Sequence, residues 1–263
     1  MIREIADNGV VYYRSELIPC PHGFSTRIGG VSTHSYTETL NLGVGRGDDD
    51  NTVFENLSRF AKAVGVSNTA FAYADQIHSS IVKRVTKDYS CQACDGLVTN
   101  EKGITLGIKT ADCVPILLFC EGGEKKENII SAVHAGWRGT CKNIVSAAIS
   151  EMTEMGAEIV NIKVAIGPSI KPCCYEVAKD FYDAFCDSMG EDAARTFIKP
   201  SEKEGHFKAD LVGINRYQLE ENGILHQNID VASLCTCCDP KEFYSHRRMG
   251  NTRGTMLSVI AIK

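Results

Sequence analysis

Two neighbouring stretches constrain the fold most: "GITLGIKTADCVPILLFC", residues 103–120, and "NIISAVHAGWRGT", residues 128–140. The first reads as two apolar strands flanking a polar turn. The second reads as a strand that ends at His134, followed by the strand-to-helix turn "AGWRG". Beyond that turn, Ile144, Ala148, Met152 and Met155 mark one face of a helix. "NIKVAIGPSI" predicts a strand stopped by Gly-Pro, and "TMLSVIAI" a closing strand. Val53, Leu57, Phe60 and Val64 stand at helical spacing, with Asn51 as the expected N-cap and Gly65 as the stop. Phe181, Phe185 and Met189 predict another helix, and Asp210 is expected to cap a further one through Leu219. Strands alternating with helices, plus hairpins, call for an α+β fold with mixed β-sheets and helices outside. No repeat or linker interrupts the pattern, so residues 1–263 read as a single domain.

The 263 residues are enough for a core that needs no covalent staples. A net charge of −5 argues against nucleic acid or an anionic membrane as partner, since both ordinarily call for a basic face. Any anion handled here must therefore meet a local cluster of arginines. No run reaches the roughly 20 apolar residues needed to span a bilayer. "MIREIADNGV" has no basic stretch leading into an apolar one, so no export signal is read and the cytoplasm is the expected compartment. In that setting the twelve cysteines are expected as reduced thiols or metal ligands rather than disulfides.

Three segments are chemically loaded: "DQIHSS" with His78, "KTADCVPILL" with Cys113 and "AVHAGWRG" with His134. The last two sit where buried strands reach turns, a common location for site residues. Singly, each has an ordinary explanation: a histidine with a satisfied hydrogen bond, or a cysteine acting as a small hydrophobe. Together they make a His₂Cys set that suits zinc with an open fourth position. The glycines of "AGWRG" permit a tight backbone, and the helix start after them is a candidate anion site, with Arg138 adding charge. The C-x-x-C spacings Cys91–Cys94 and Cys235–Cys238 could pair as a structural zinc site, although about 140 residues separate them. Cys173-Cys174 could mark a redox pair, but adjacent cysteines rarely bridge.

Ten motifs, in order from about residue 20 to 262, carry a resemblance: "GFSTRIGGVS", "LNLGVGRGDD", "ENLSRF", "DQIHSS", "CDGLVT", "KTADCVPILL", "VHAGWRGT", "IGPSIKPCCYEV", "LCTCC" and "FYSHRRMGNTRGTMLSVI". The chain resembles the laccase-domain, YfiH-like family, named for polyphenol oxidase activity and later understood as zinc-dependent purine nucleoside phosphorylases. The resemblance implies an α/β/β/α arrangement and activity on adenosine, inosine or methylthioadenosine with phosphate, with adenosine deamination beside it. It places the family's metal ligands on His78, Cys113 and His134. The chain departs from the family pattern at Leu57, where arginine is usual, and at His246, where tyrosine is usual.

Phosphorolysis requires a held phosphate, and arginine forks suit oxyanions. Arg27, Arg138, Arg247 and Arg248 are the candidates, with the resemblance favouring Arg27 and Arg247. Asp112 is an expected proton-transfer or supporting residue of the catalytic set with Cys113 and His134. Asn41 and Gln76 are expected to bond sugar or base. The His-x-Glu…Pro-Cys-x-x-Cys signature of common nucleobase deaminases is absent. Copper outranks zinc at a given site, so copper binding in vitro is expected too. Competing readings are a copper oxidase, which seven histidines without a His-x-His pair disfavour, and a cysteine hydrolase or deamidase using Cys113 and His134. A non-catalytic partner protein with a stabilising metal is the remaining one.

Overall fold

The computed structural model describes residues 1–67, 70–122 and 127–263. In chain order the strands are β1 (Ile2–Ile5), β2 (Val11–Arg14), β3 (His22–Ser25), β4 (Phe71–Tyr73), β5 (Val82–Arg84), β6 (Gly96–Thr99), β7 (Thr105–Thr110), β8 (Val114–Cys120), β9 (Ile129–Ala135), β10 (Lys163–Ile166), β11 (Glu176–Ala178), β12 (Ile198–Pro200), β13 (His206–Ala209), β14 (Ile229–Val231) and β15 (Met256–Ala261). The helices are α1 (Asp50–Val64), α2 (Trp137–Cys141), α3 (Ile144–Glu154), α4 (Lys179–Met189), α5 (Glu191–Phe197), α6 (Leu211–Glu221) and α7 (His246–Met249).

Two six-stranded sheets form the frame, ordered β1-β2-β3-β15-β7-β4 and β14-β10-β8-β9-β6-β5. Both are mixed: β4 runs parallel to β7, and β5 and β14 run parallel to β6 and β10, while the other neighbours are antiparallel. Strand alternation builds the layers. On β8, Leu117 and Phe119 face the core between the sheets, while Val114, Ile116 and Leu118 face the helical layer of α3 and α6. On β15, Met256 and Ile260 join the inter-sheet core, while Leu257 and Val259 meet Phe60 of α1 on the opposite side. The result is the α/β/β/α arrangement expected above. A small sheet, β11-β13-β12, flanks α4 and α5.

The β7–β8 and β9–α2 units, α3, α4, α6 and β15 fall where the apolar patterns place them. Asp210 caps α6 by accepting from Gly213 N at 2.9 Å. The start of α1 differs from expectation. Asp49, not Asn51, is the cap, because its carboxylate reaches Thr52 N at 3.0 Å, leaving Asn51 exposed inside the first turn. Gly65 ends α1 with φ +76°, as expected of a left-handed stop. None of the described helices is long and apolar enough to cross a membrane.

Asp49→Ala is expected to cost about 1 kcal/mol of stability, whereas Asn51→Ala stays within about 0.5 kcal/mol. Urea unfolding of the two variants checks this, and equal losses would reverse the assignment of the cap.

Candidate active site

The ends of β7, β8 and β9 and the loop after β4 meet at one point. Cys113 immediately precedes β8, His134 is the penultimate residue of β9, and the two strands are paired so that His134 lies opposite Pro115. His78 comes from the loop between β4 and β5, in the left-handed conformation with φ +58°. One ligand atom from each of the three residues lies within 4.8 Å of the others. Cys113 Sγ is 3.9 Å from His78 Nε2, and the two imidazoles stand edge to face at 4.8 Å.

Asp95, just before β6, holds this group together and was not singled out from the sequence. Its fully buried carboxylate accepts from His134 Nδ1 at 2.7 Å, Ser79 Oγ at 2.7 Å, and the backbone N–H groups of Ser79, His78 and Ile77. Its backbone carbonyl also accepts from His134 N. Burial alone would push the carboxyl up, but His134 and the Ser79 donors outweigh it and hold Asp95 near 2. A histidine bonded this way at Nδ1 presents Nε2 as a metal ligand, the carboxylate–histidine–metal arrangement. Burial works against charge on Cys113 and His134 as well. Their mutual attraction prevails, lowering the thiol to about 6 and raising the imidazole to about 9.

The glycines around Trp137 now have a cause. A Cβ on Gly136 would lie 2.6 Å from Cδ2 of the His78 ring and 3.4 Å from Cys113 Sγ. A Cβ on Gly139 would lie 2.6 Å from the carbonyl oxygen of Ser79. The His78 loop thus packs directly on the backbone of the "AGWRG" turn. The expected anion site at the helix start is not supported: α2 has only five residues, too short to build an appreciable dipole.

These residues open into a cavity of about 670 Å³. Of the expected substrate-binding residues, Gln76, Arg138 and Arg247 line it, as does Asp112. The Arg138 guanidinium lies over the Trp137 ring at 4.3 Å and makes no hydrogen bond or ion pair among the described residues. Gln76 uses both amide atoms on the backbone of Lys109, at 2.7 Å each. Arg247 stacks over Tyr175 and donates through Nη1 to the carbonyls of Cys174 and Glu176. The Asp112 carboxylate accepts from Thr236 Oγ1, Ser245 Oγ and Arg247 N, so it organises the wall that carries Arg247.

Three expectations are corrected. Arg27 lies outside this cavity, its guanidinium over Tyr244 and bonded to the carbonyls of Glu38 and Pro240. Asn41 is buried beneath the wall, bonding Gly43 and Thr255. Arg248 turns away to the carbonyls of Thr236, Cys237 and Phe243. In their place Arg46, Lys109 and Arg253 line the cavity beside Arg138 and Arg247. His246 lines it too, whereas Leu57 packs on the outer cluster around Phe60. The Leu57 departure therefore touches packing, and the His246 departure touches the cavity.

The whole is a sandwich of two mixed sheets with a His₂Cys group at the mouth of a cation-lined cavity. Residues 21–263 match the family described as multi-copper polyphenol oxidoreductase laccase, and the chain belongs to that family. It is 33% identical over 252 residues to purine nucleoside phosphorylase YlmD of Bacillus subtilis, covering 92% of this chain and 88% of that one. It is 32% identical over 241 residues to adenosine deaminase RL5 of an unknown prokaryotic organism, covering 88% and 90%. The crystal structure of YlmD from Geobacillus stearothermophilus aligns with a TM-score of 0.89 at 30% identity, covering 100% of this chain and 99% of that one.

Asp95→Asn is expected to weaken metal uptake by the His78–Cys113–His134 group roughly 10–100-fold, the usual effect of losing such a partner. Gly136→Ala is expected to weaken it as well, by displacing the His78 ring. Zinc titration of both proteins checks this, and wild-type uptake in Asp95→Asn would show that His134 needs no orienting carboxylate.

Proposed function

We propose that this protein is a zinc-dependent purine nucleoside phosphorylase, with residues 1–263 acting as one catalytic domain. It takes adenosine, inosine or methylthioadenosine with phosphate and gives the base and ribose 1-phosphate or 5-methylthioribose 1-phosphate. Adenosine deamination is a second activity of the same cavity. The observation that carries this reading is the meeting of a His₂Cys group with Arg46, Lys109, Arg138, Arg247 and Arg253 in one cavity. The volume, about 670 Å³, suits a nucleoside and phosphate. The names of the relatives, purine nucleoside phosphorylase and adenosine deaminase, support it.

His78, Cys113 and His134 would hold the zinc; their donor set and the Asp95-oriented imidazole fit that ion. Zinc bound there supplies Lewis acidity toward a purine or phosphate oxygen. The other residues bind and orient. Arg138, whose guanidinium stacks on Trp137 and has no hydrogen-bond or ion-pair partner among the described residues, is the fork available for a phosphate oxyanion. Arg247 has only Nη1 committed, so its remaining donors can serve the same anion. Asp112 acts as a positioning residue for Arg247, since Thr236, Ser245 and the Arg247 amide occupy its carboxylate. Trp137 and Tyr175 add apolar wall to the cavity, against which the base or sugar can pack.

The copper-oxidase reading lacks donors. Among the described residues, the groups able to hold a metal are this His₂Cys set and a cluster of cysteines. The cysteine-hydrolase reading has one observation in its favour, the lowered Cys113 thiol beside a raised His134. Metal dependence separates it from the main reading.

Base release from adenosine or inosine is expected to require phosphate, yield ribose 1-phosphate, and stop on chelation or in Cys113→Ala. Chromatography of the products with and without phosphate decides this. Free ribose at an equal rate without phosphate would make the enzyme a hydrolase, and full turnover by chelated protein that alkylation of Cys113 abolishes would favour the cysteine nucleophile. Arg138→Ala is expected to lower kcat/KM for phosphate by about tenfold or more, with zinc content unchanged. Arg27→Ala is expected to leave phosphate kinetics as they are.

A further inference from the structure

The twelve cysteines are all free thiols, and the proposed reaction uses one of them. Four others form a cluster outside the cavity. Cys173 and Cys174 lie in the turn after β10, and Cys235 and Cys238 in the loop after β14. The two loops are fixed side by side: Ser169 bridges to Cys235, Thr236 N donates to Ser169 O at 3.2 Å, and Lys171 Nζ donates to Ala232 O at 2.8 Å. This brings the four sulfurs within 4.8 Å of one another. Cys238 Sγ lies 3.4 Å from Cys173 Sγ and 3.3 Å from Cys174 Sγ. Around a tetrahedral zinc with bonds of about 2.3 Å, sulfurs stand about 3.8 Å apart, inside the range this cluster spans. Cys91 and Cys94, which share the C-x-x-C spacing, take no part in this cluster: Cys94 is buried against the Tyr89 hydroxyl.

We propose that Cys173, Cys174, Cys235 and Cys238 form a second metal site, a tetrathiolate centre for zinc that clamps the loop carrying Ile170 and Tyr175 of the cavity wall to the loop after β14.

The local chemistry points the same way. Burial pushes the Cys235 thiol up, but the neighbouring backbone at Lys171, Cys238 and Cys237 outweighs it and holds the thiol below its ordinary range. Backbone dipoles at the third and fourth residues of a C-x-x-C turn favour a thiolate at its first sulfur. The other members are under the opposite pressure. Burial and the neighbouring sulfurs push Cys173 up to about 11 and Cys174 higher still. Four crowded thiols resist ionising together without a cation, and a bound divalent ion removes that resistance, its thiols releasing their protons to solvent. Cys173 and Cys238 are exposed, which gives the ion a way in. Lys171, beside Cys235 and Cys173, offsets part of the negative charge that a tetrathiolate zinc centre would carry.

The clamp bears on the cavity through the backbone. Arg247 is anchored on the Cys174 carbonyl and Arg248 on those of Thr236 and Cys237. Thr236 in turn bonds Asp112, and Tyr175 follows Cys174 directly. An ion tying Cys174 to Cys235 and Cys238 thus fixes the positions of Arg247, Tyr175 and Asp112 without touching substrate.

Metal analysis of the full chain tests this. Wild-type protein is expected to carry about two zinc ions, Cys113→Ala and Cys235→Ser/Cys238→Ser each about one. The Cys113→Ala comparison keeps failure of this site distinct from failure of the His₂Cys site. Cobalt-loaded Cys113→Ala should retain the strong thiolate-to-metal charge-transfer absorption. On unmodified protein, independent of any variant's folding, zinc should shield these four cysteines from iodoacetamide, and a chelator should expose them, as mapped by peptide mass spectrometry. Equal alkylation with and without zinc, or a disulfide from Cys238 to Cys173 or Cys174 in the isolated protein, overturns the proposal.

Discussion

The buried Asp95 carboxylate is the interaction on which the site depends. A lone charge with no exposure to water would cost many kcal/mol, and it persists only because every direction around it carries a donor. Those donors come from separate parts of the chain: His134 from β9, and Ile77, His78 and Ser79 from the loop after β4. One carboxylate therefore fixes the left-handed backbone of His78 and the tautomer of His134 together. Replacing it with an apolar group would orphan three backbone N–H groups and leave the His134 ring free to rotate. The metal-capable group is in this sense a consequence of how one buried anion is satisfied.

The close approach of the His78 loop to "HAGWRG" follows from the same anchoring. Asp95 draws the loop inward until the Ser79 carbonyl and His78 ring rest on Gly139 and Gly136. The only tryptophan sits beside that contact, packed on Phe181 and covered by Arg138. Trp137 is thus half core and half cavity wall, which explains why glycines and an arginine surround it. A tryptophan wholly in the core would require neither.

Much of this was legible in the sequence where apolar runs were long. The strands β7, β8, β9 and β15 are six or seven residues each and nearly all buried, so their pattern overrides local ambiguity. The three-residue strands were not legible: β5 reads Val-Lys-Arg, half exposed, and exists only because β6 offers it a parallel edge. Cys113 and His134 were visible as polar residues ending apolar strands. Asp95 stood inside the quoted "CDGLVT", but nothing in its local spacing separates a buried anchor from a turn residue. The arginines show the same limit. Arg27 and Arg248 resemble oxyanion binders in sequence, yet backbone carbonyls hold both away from the cavity, and only the tertiary fold decides that. The thiol cluster joins residues more than 60 positions apart, beyond any local pattern.

The cavity's charge distribution shows what the fold gives up to keep a site. The chain is acidic overall, at −5, yet Arg46, Lys109, Arg138, Arg247 and Arg253 converge on one space. Burial disfavours the charge on Lys109 and Arg253, and Arg46 adds repulsion to both. Lys109 has the Tyr73 ring as neighbour and, among the described residues, no ion-paired carboxylate. Like charges that outnumber the cavity's carboxylates, Asp75 and Asp112, repel one another in the free chain. An anion entering the cavity relieves that repulsion and meets donors already oriented, so little reorganisation is needed when charge arrives. A sequence optimised for stability alone would pair or remove these cations. Their retention beside the His₂Cys group, with no ion pair among the described residues and with Lys109 and Arg253 partly desolvated, is the pattern in which local rules give way at a functional site.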